Sequence, residues 1–93
     1  MENYYDDMEL LDIVALKGVG VRDTDKGIEI VLMTMQDEIL NTYEVNVDLE
    51  KYGKENLWKI CYDISNRINT AYYNNYGVLN QEIVERIVKA NLI

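Results

Sequence analysis

Apolar and polar positions alternate most clearly in the middle of the chain. Residues 28–35 carry apolar side chains at almost every position, which is typical of a strand covered on both faces. Residues 39–47 show a period of two, because Tyr43, Val45 and Val47 are each separated by one polar residue. Two strands are therefore predicted here, and the second is expected to have one wet face.

An earlier apolar stretch, residues 13–21, predicts a third strand. Gly18 and Gly20 interrupt it, as residues at a bulge or bend do. Residues 23–27 and 36–38 have the composition of turns and connect it to the two strands that follow. The three strands are therefore expected to form an antiparallel meander.

The segment before this meander has two interpretations. Tyr4, Met8 and Leu11 are spaced i, i+4 and i+7, which predicts a short helix. Alternatively, the helix continues to Lys17 and Gly18 ends it.

A helical period predicts a long helix over residues 54–76, which Gly77 ends in a left-handed conformation. A second helix is predicted to start at Asn80, a good N-cap, with Leu79 and Val84 at the positions of a hydrophobic staple. The aliphatic stripe of the first helix comprises Leu57, Ile60, Cys61, Ile64, Ile68 and Ala71, and the second buries Ile83, Val84, Ile87 and Val88.

The order of elements, (α)βββαα, predicts a single α+β domain over residues 1–93, in which a three-stranded antiparallel sheet packs against two C-terminal helices. The helices cover one face of the strand at 28–35. The other face carries Val31, Met33 and Met35, so either residues 1–12 or a second molecule is expected to cover it.

A helical wheel places the aromatic residues of helix 54–76 beside its aliphatic stripe. One interpretation is that they form the outer layer of a small core. The other is that they form a protein-binding surface, since aromatic side chains with a polar tip suit half-buried sites at interfaces. The candidate partner-binding aromatics are Trp58, Tyr62, Tyr72, Tyr73 and Tyr76.

The net charge of −8 is unevenly distributed. Residues 1–16 and 29–50 contain acidic residues and no base. This segregation is expected to repel nucleic acid and to attract a basic protein, although acidic residues also keep small proteins soluble. The candidate partner-binding acids are Asp6, Asp7, Glu9, Asp37, Glu38, Glu44 and Asp48.

The sequence offers little catalytic chemistry. It contains no histidine, the commonest general base, and its one cysteine, Cys61, is expected to be a core residue. We therefore expect neither an enzyme nor a cofactor or metal site; a metal-dependent hydrolase using the N-terminal acids is the weakest alternative. The single cysteine, the acidic N-terminus and the lack of a membrane-spanning run favour a cytoplasmic protein without membrane association.

The short acidic chain and its (α)βββαα layout resemble the small phage-encoded anti-CRISPR inhibitors. Some members of that family are DNA mimics, whose acidic side chains occupy the site where a CRISPR effector nuclease reads the short motif flanking its target. The resemblance lies in layout and not in any motif, so it assigns no residues. It implies a non-enzymatic inhibitor or adaptor that binds a basic, nucleic-acid-handling protein in the host-cell cytoplasm. A small structural module that forms homodimers through apolar and tyrosine-rich surface is the alternative.

Overall fold

Three strands followed by two helices make up residues 13–92, the part of the chain that the computed structural model describes. The strands are β1 (Leu16–Thr24), β2 (Gly27–Thr34) and β3 (Ile39–Asn46). The helices are α1 (Lys54–Asn74) and α2 (Gln81–Ala90). The predicted α+β class and the order βββαα are confirmed. The short helix predicted near residues 4–11 lies outside the described residues.

The strands form an antiparallel sheet in the order β1-β2-β3. The register shifts between Leu16 and Gly18, where a bulge was expected, and again where Met33 pairs with Ile39. Since Lys17 lies inside β1, the alternative of a helix continuing to Lys17 is wrong.

One face of the sheet forms the core with both helices. Ile28, Ile30 and Leu32 of β2 are at most 1% exposed. α1 packs on β1 and α2 packs on β3, so the two helices lie side by side over the outer strands. They contribute the buried residues Ile64, Ile68, Tyr72, Val84 and Val88. The predicted stripes are thus confirmed in part: their central residues are buried, Ile60, Cys61 and Ile87 are half-buried against the core, and Tyr72 is a core residue that the predicted stripe did not include.

The opposite face of the sheet is less covered within residues 13–92. Val31 and Met33 are half-buried, whereas Met35 and Ile39 are exposed. Residues 1–12, one of the two covers expected from the sequence, lie outside the described residues.

Two tight turns join the strands, and both have local causes. At the first, Gly27 has a φ of +148°, and β3 passes so close that a Cβ there would lie 2.2 Å from the carbonyl oxygen of Val45. At the second, the Thr34 hydroxyl accepts hydrogen bonds from the amides of Gln36 and Glu38. Asp37 sits between these two at a φ of +63°, a conformation that aspartate tolerates better than most residues.

The end of α1 differs in detail from the expectation. The helix stops at Asn74, and the amides of Tyr76 and Gly77 donate to the carbonyls of Tyr73 and Tyr72, which is a Schellman motif. In that motif Tyr76, at a φ of +55°, takes the left-handed position, and Gly77 follows at +82°.

The start of α2 agrees with the expectation. Its N-cap is Asn80, whose side chain accepts the Ile83 amide at 2.9 Å. Two ion pairs at i, i+4 spacing, Glu82–Arg86 and Glu85–Lys89, lie along α2 at 3.3 and 3.7 Å. Neither described helix is both long enough and apolar enough to cross a membrane.

Candidate functional site

Trp58 and Tyr62 form an exposed aromatic pair on the first half of α1. Their rings stack with centroids 5.5 Å apart and planes 9° from parallel. Their spacing of four residues places them on one side of the helix, and 71% of Trp58 and 56% of Tyr62 remain accessible to solvent. The structure therefore presents a large, rigid aromatic surface that the core does not use.

The tyrosines near the end of α1 have a different role. Tyr72 is 2% exposed, and its hydroxyl donates to the carbonyl of Val14 at 2.7 Å. The Tyr73 hydroxyl accepts the amide of Leu16 at 2.8 Å, and its ring meets that of Tyr72 edge to face. These two residues fasten the segment that leads into β1. Burial raises the pKa of Tyr72, as expected for a core phenol.

The expectation that all five aromatics form one partner-binding edge is thus corrected. Tyr72 belongs to the core and is closed to a partner, because the chain before β1 covers it. The hydroxyl of Tyr73 already accepts a hydrogen bond from the backbone amide of Leu16, which fixes the orientation of this side chain. Tyr76 is 67% exposed but lies beyond the helix, far from Trp58.

Within residues 13–92, an unpaired strand edge lies beside the Trp58–Tyr62 pair. Lys26, the residue just before β2, accepts the Val47 amide with its carbonyl at 3.1 Å and so faces β3. Backbone groups alternate in direction along a strand. The even-numbered residues of β2 therefore direct their amides and carbonyls toward β3, and the odd-numbered ones toward β1. In the β1–β2 register, Val19, Val21 and Asp23 lie opposite even-numbered residues of β2, whose backbone groups face β3. The amides and carbonyls of these three residues of β1 therefore point away from β2, toward the open edge.

One contact confirms this direction and shows how little of the edge is in use. The Ser65 hydroxyl of α1 donates to the Val19 carbonyl at 2.7 Å. Within residues 13–92, no hydrogen bond reaches the outward groups of Val21 and Asp23. The opposite edge has an equivalent contact, from Gln81 to the Glu44 carbonyl at 2.6 Å.

A groove of about 380 Å³ connects this edge to the aromatic pair. Its floor and walls are largely apolar, and charged side chains stand at its rim. The residues that line it are Val21, Arg22, Asp23, Lys54, Leu57, Trp58 and Cys61. An apolar groove bordered by an unpaired strand edge is suited to binding a polypeptide rather than to catalysis.

Cys61, which lines this groove, is not an activated nucleophile. It is partly buried, and burial, followed by the charge of Asp23, raises the pKa of its thiol. The thiol therefore remains protonated at neutral pH.

This shift predicts the pH dependence of Cys61 alkylation. Iodoacetamide reacts with thiolate, so the rate should reach half its maximum at a higher pH than for a free cysteine peptide in the same tube. Mass spectrometry of both products across pH 7 to 10 measures the two curves. A midpoint at or below that of the peptide would contradict the burial-raised pKa.

The four acidic candidates within residues 13–92 do not gather into one patch. Asp37 occupies the left-handed position of its turn and pairs with Lys17, and Asp48 accepts the amide of Glu50 at 3.0 Å. These two lie at opposite ends of β3 and have local structural roles. Glu38 is exposed beside Asp37. Asp6, Asp7 and Glu9 lie outside the described residues.

Glu44 has the most unusual setting among the acids. It stands directly opposite Glu29 across the β2–β3 pair, on the face of the sheet without helices. Like charges in opposed positions destabilise a sheet. Among the described residues, Arg22 offsets this repulsion through its bond to Glu29 at 2.6 Å. That bond and the charge of Glu29 raise the pKa of Arg22.

A larger groove of about 530 Å³ separates the two helices, but it assembles no catalytic group. Its charged lining consists of Arg67 and Arg86, and Arg86 pairs with Glu82. Across residues 13–92, no cluster of acidic or cysteine side chains has the arrangement of a metal site.

Comparison with known proteins gives no relative. The chain matches no protein-family model, no curated protein and no solved structure. Function must therefore be inferred from the surface itself.

Proposed function

We propose that this protein is a non-enzymatic inhibitor or adaptor that acts by binding another protein. The observation that carries the proposal is the exposed stack of Trp58 on Tyr62. Tryptophan and tyrosine dominate the binding energy of protein interfaces, because they bury a large area at a small cost in side-chain entropy. A side-chain pair at i, i+4 stabilises a helix by only a few tenths of a kcal/mol, and a smaller pair would supply the same amount. Helix stability therefore does not explain why two large aromatic side chains are exposed here.

The acidic residues favour a basic partner that handles nucleic acid. Glu29 and Glu44 face each other on the side of the sheet away from α1 and α2, although this placement is unfavourable for folding. Glu38 adds an exposed carboxylate in the turn before β3. A basic surface would relieve this repulsion, whereas nucleic acid would increase it. An anti-CRISPR-like DNA mimic acting in the cytoplasm is the specific form of this proposal.

Homodimerisation is a second candidate, and the face of the sheet that residues 13–92 leave partly exposed favours it. Val31 and Met33 are only half-buried there, and Ile39 is 63% exposed. A second copy packed on this face would remove that apolar area from water. Such a dimer would tolerate salt, because its contacts are apolar.

The test begins with affinity capture using the full chain, followed by kinetic binding measurements on each purified candidate partner. Trp58→Ala should weaken a true partner at least about 30-fold, the factor that corresponds to roughly 2 kcal/mol for a central aromatic. Tyr76→Ala, which removes a similarly exposed aromatic at the far end of α1, should leave the affinity unchanged.

Charge and self-association are separated in the same assay. If the partner is basic, Glu44→Lys should slow its association at low salt and have little effect at high salt. Sedimentation equilibrium of the free protein tests the homodimer. Equal affinity of the wild type and Trp58→Ala for every captured protein would refute binding through the aromatic pair.

A further inference from the structure

We infer that the edge of β1 binds an extended segment of the partner as an added fourth strand, with the segment's apolar side chains in the groove under Trp58. The inference rests on the proposed function, since it specifies how the partner is held. It names one occupant, a peptide with apolar residues at alternate positions. Neither the edge nor the groove was anticipated from the sequence.

The backbone of β1 specifies an extended chain. Val21 and Asp23 each direct an amide and a carbonyl off the edge of the sheet. The two residues are about 7 Å apart along the strand, which is also the spacing of the outward-facing residues on an extended peptide. A helix has no backbone groups to offer at that spacing. Strand addition to such an edge supplies affinity through the main chain, independent of the partner's sequence.

The side chains beside the edge specify what the added segment carries. Successive residues of a strand point to opposite faces, so every second residue of the peptide would lie on the α1 side. There it would meet the groove formed by Val21, Leu57 and Trp58. On the other side, Gly20 has no side chain, which leaves room for a residue of any size.

The position of α1 argues against a second copy of this chain at the same edge. α1 packs on β1, and Ser65 reaches the outward carbonyl of Val19, so the helix extends to the margin of the sheet. Two copies joined through antiparallel β1 strands would bring their α1 helices to within about one strand spacing, near 5 Å, on the same face of the sheet. Packed helices require 8–10 Å between their axes. A bare peptide strand brings no helix and avoids this clash.

Hydrogen exchange of the free 93-residue chain provides the first test. The amides of Val21 and Asp23 should exchange rapidly, while those of Gly20 and Arg22, which bond to β2, should exchange slowly. Protection of Val21 and Asp23 in a monomer would show that residues 1–12 already cover the edge. The same protection in a dimer would assign the edge to a second copy. Either result overturns the inference.

The second test uses ten-residue peptides selected from a random displayed library against the full chain. Trp58 is the only tryptophan, so its fluorescence reports binding of the synthetic peptides directly. Each peptide is then N-methylated at alternate residues in two series. Methyl groups on amides that face β1 should lower the affinity at least tenfold, and those in the other series should leave it unchanged.

Three results decide this test. Sensitivity of one series only, with Val21 and Asp23 becoming protected from exchange, supports strand addition. Equal behaviour of the two series would overturn it. Failure to select any peptide, alongside a captured partner that needs Trp58, would also overturn it while leaving the proposed function intact. Because N-methylation changes only the peptide, the first two outcomes do not depend on whether a protein variant folds. The third uses Trp58→Ala, which removes a side chain that is 71% exposed and lies outside the core.

Discussion

Replacing Ile64 by aspartate is expected to abolish cooperative folding. Ile64 is 0% exposed and lies at the centre of the buried face of α1, within the single cluster that joins both helices to the sheet. A carboxylate there has no described base to pair with, and an unpaired buried charge costs several kcal/mol. A domain of this size has a free energy of unfolding of only about 5–15 kcal/mol.

Circular dichroism and thermal melting measure this effect. Ile64→Val, which keeps the shape and removes one methylene, is the matched control and should cost about 1 kcal/mol. A cooperative melt of Ile64→Asp close to that of the wild type would mean that α1 does not pack on the sheet through this face.

Replacing Gly27 by alanine should destabilise the protein by about 3 kcal/mol or more. Two causes act together. The backbone of Gly27 has a φ of +148°, which a residue with a Cβ rarely adopts. In addition, the new Cβ would lie 2.2 Å from the Val45 carbonyl oxygen and 2.6 Å from the Val47 amide nitrogen, both of which are backbone atoms of or next to β3. Relief therefore requires β3 to move away from β2.

Gly53→Ala is the control for this prediction. Its φ is −78°, and a Cβ at this position would meet no atom within 4 Å. Gly53 is the N-cap of α1, where alanine is less favourable than glycine, so the substitution should cost no more than about 1 kcal/mol. Urea unfolding of the two variants gives the comparison. Similar midpoints for Gly27→Ala and wild type would show that the close approach of β3 to Gly27 is absent in solution.

The sequence predicted the elements well where their signals are local. The alternation of Tyr43 and Val45 with polar residues correctly identified β3, and the N-cap at Asn80 correctly located the start of α2. Helix ends were less accurate, since the predicted helix of residues 54–76 stops at Asn74. A glycine at 77 suggested the left-handed position, but hydrogen bonding assigns that position to Tyr76.

The candidate site was predicted less well, because it depends on contacts between distant segments. The helical wheel placed Tyr72 with Trp58, since it considers only the angle around one helix. The two residues differ in burial because the segment containing Val14 lies over the end of α1. Tyr72 bonds to the Val14 carbonyl and is 2% exposed, whereas Trp58 is 71% exposed. The free edge of β1 was missed for a similar reason. Which strand lies at an edge, and which of its amides face outward, follows from the pairing register and has no signature in the sequence.

A sheet of three strands has two edges, and each could in principle recruit further copies until a fibre grows. In this protein both outer strands lie beneath a helix, with α1 over β1 and α2 over β3. The helices therefore act as spacers that keep sheets of neighbouring molecules apart while leaving a bare strand free to enter. Loss of α2 would remove one spacer, so a chain ending before Gln81 is expected to form amyloid-like aggregates that begin at β3.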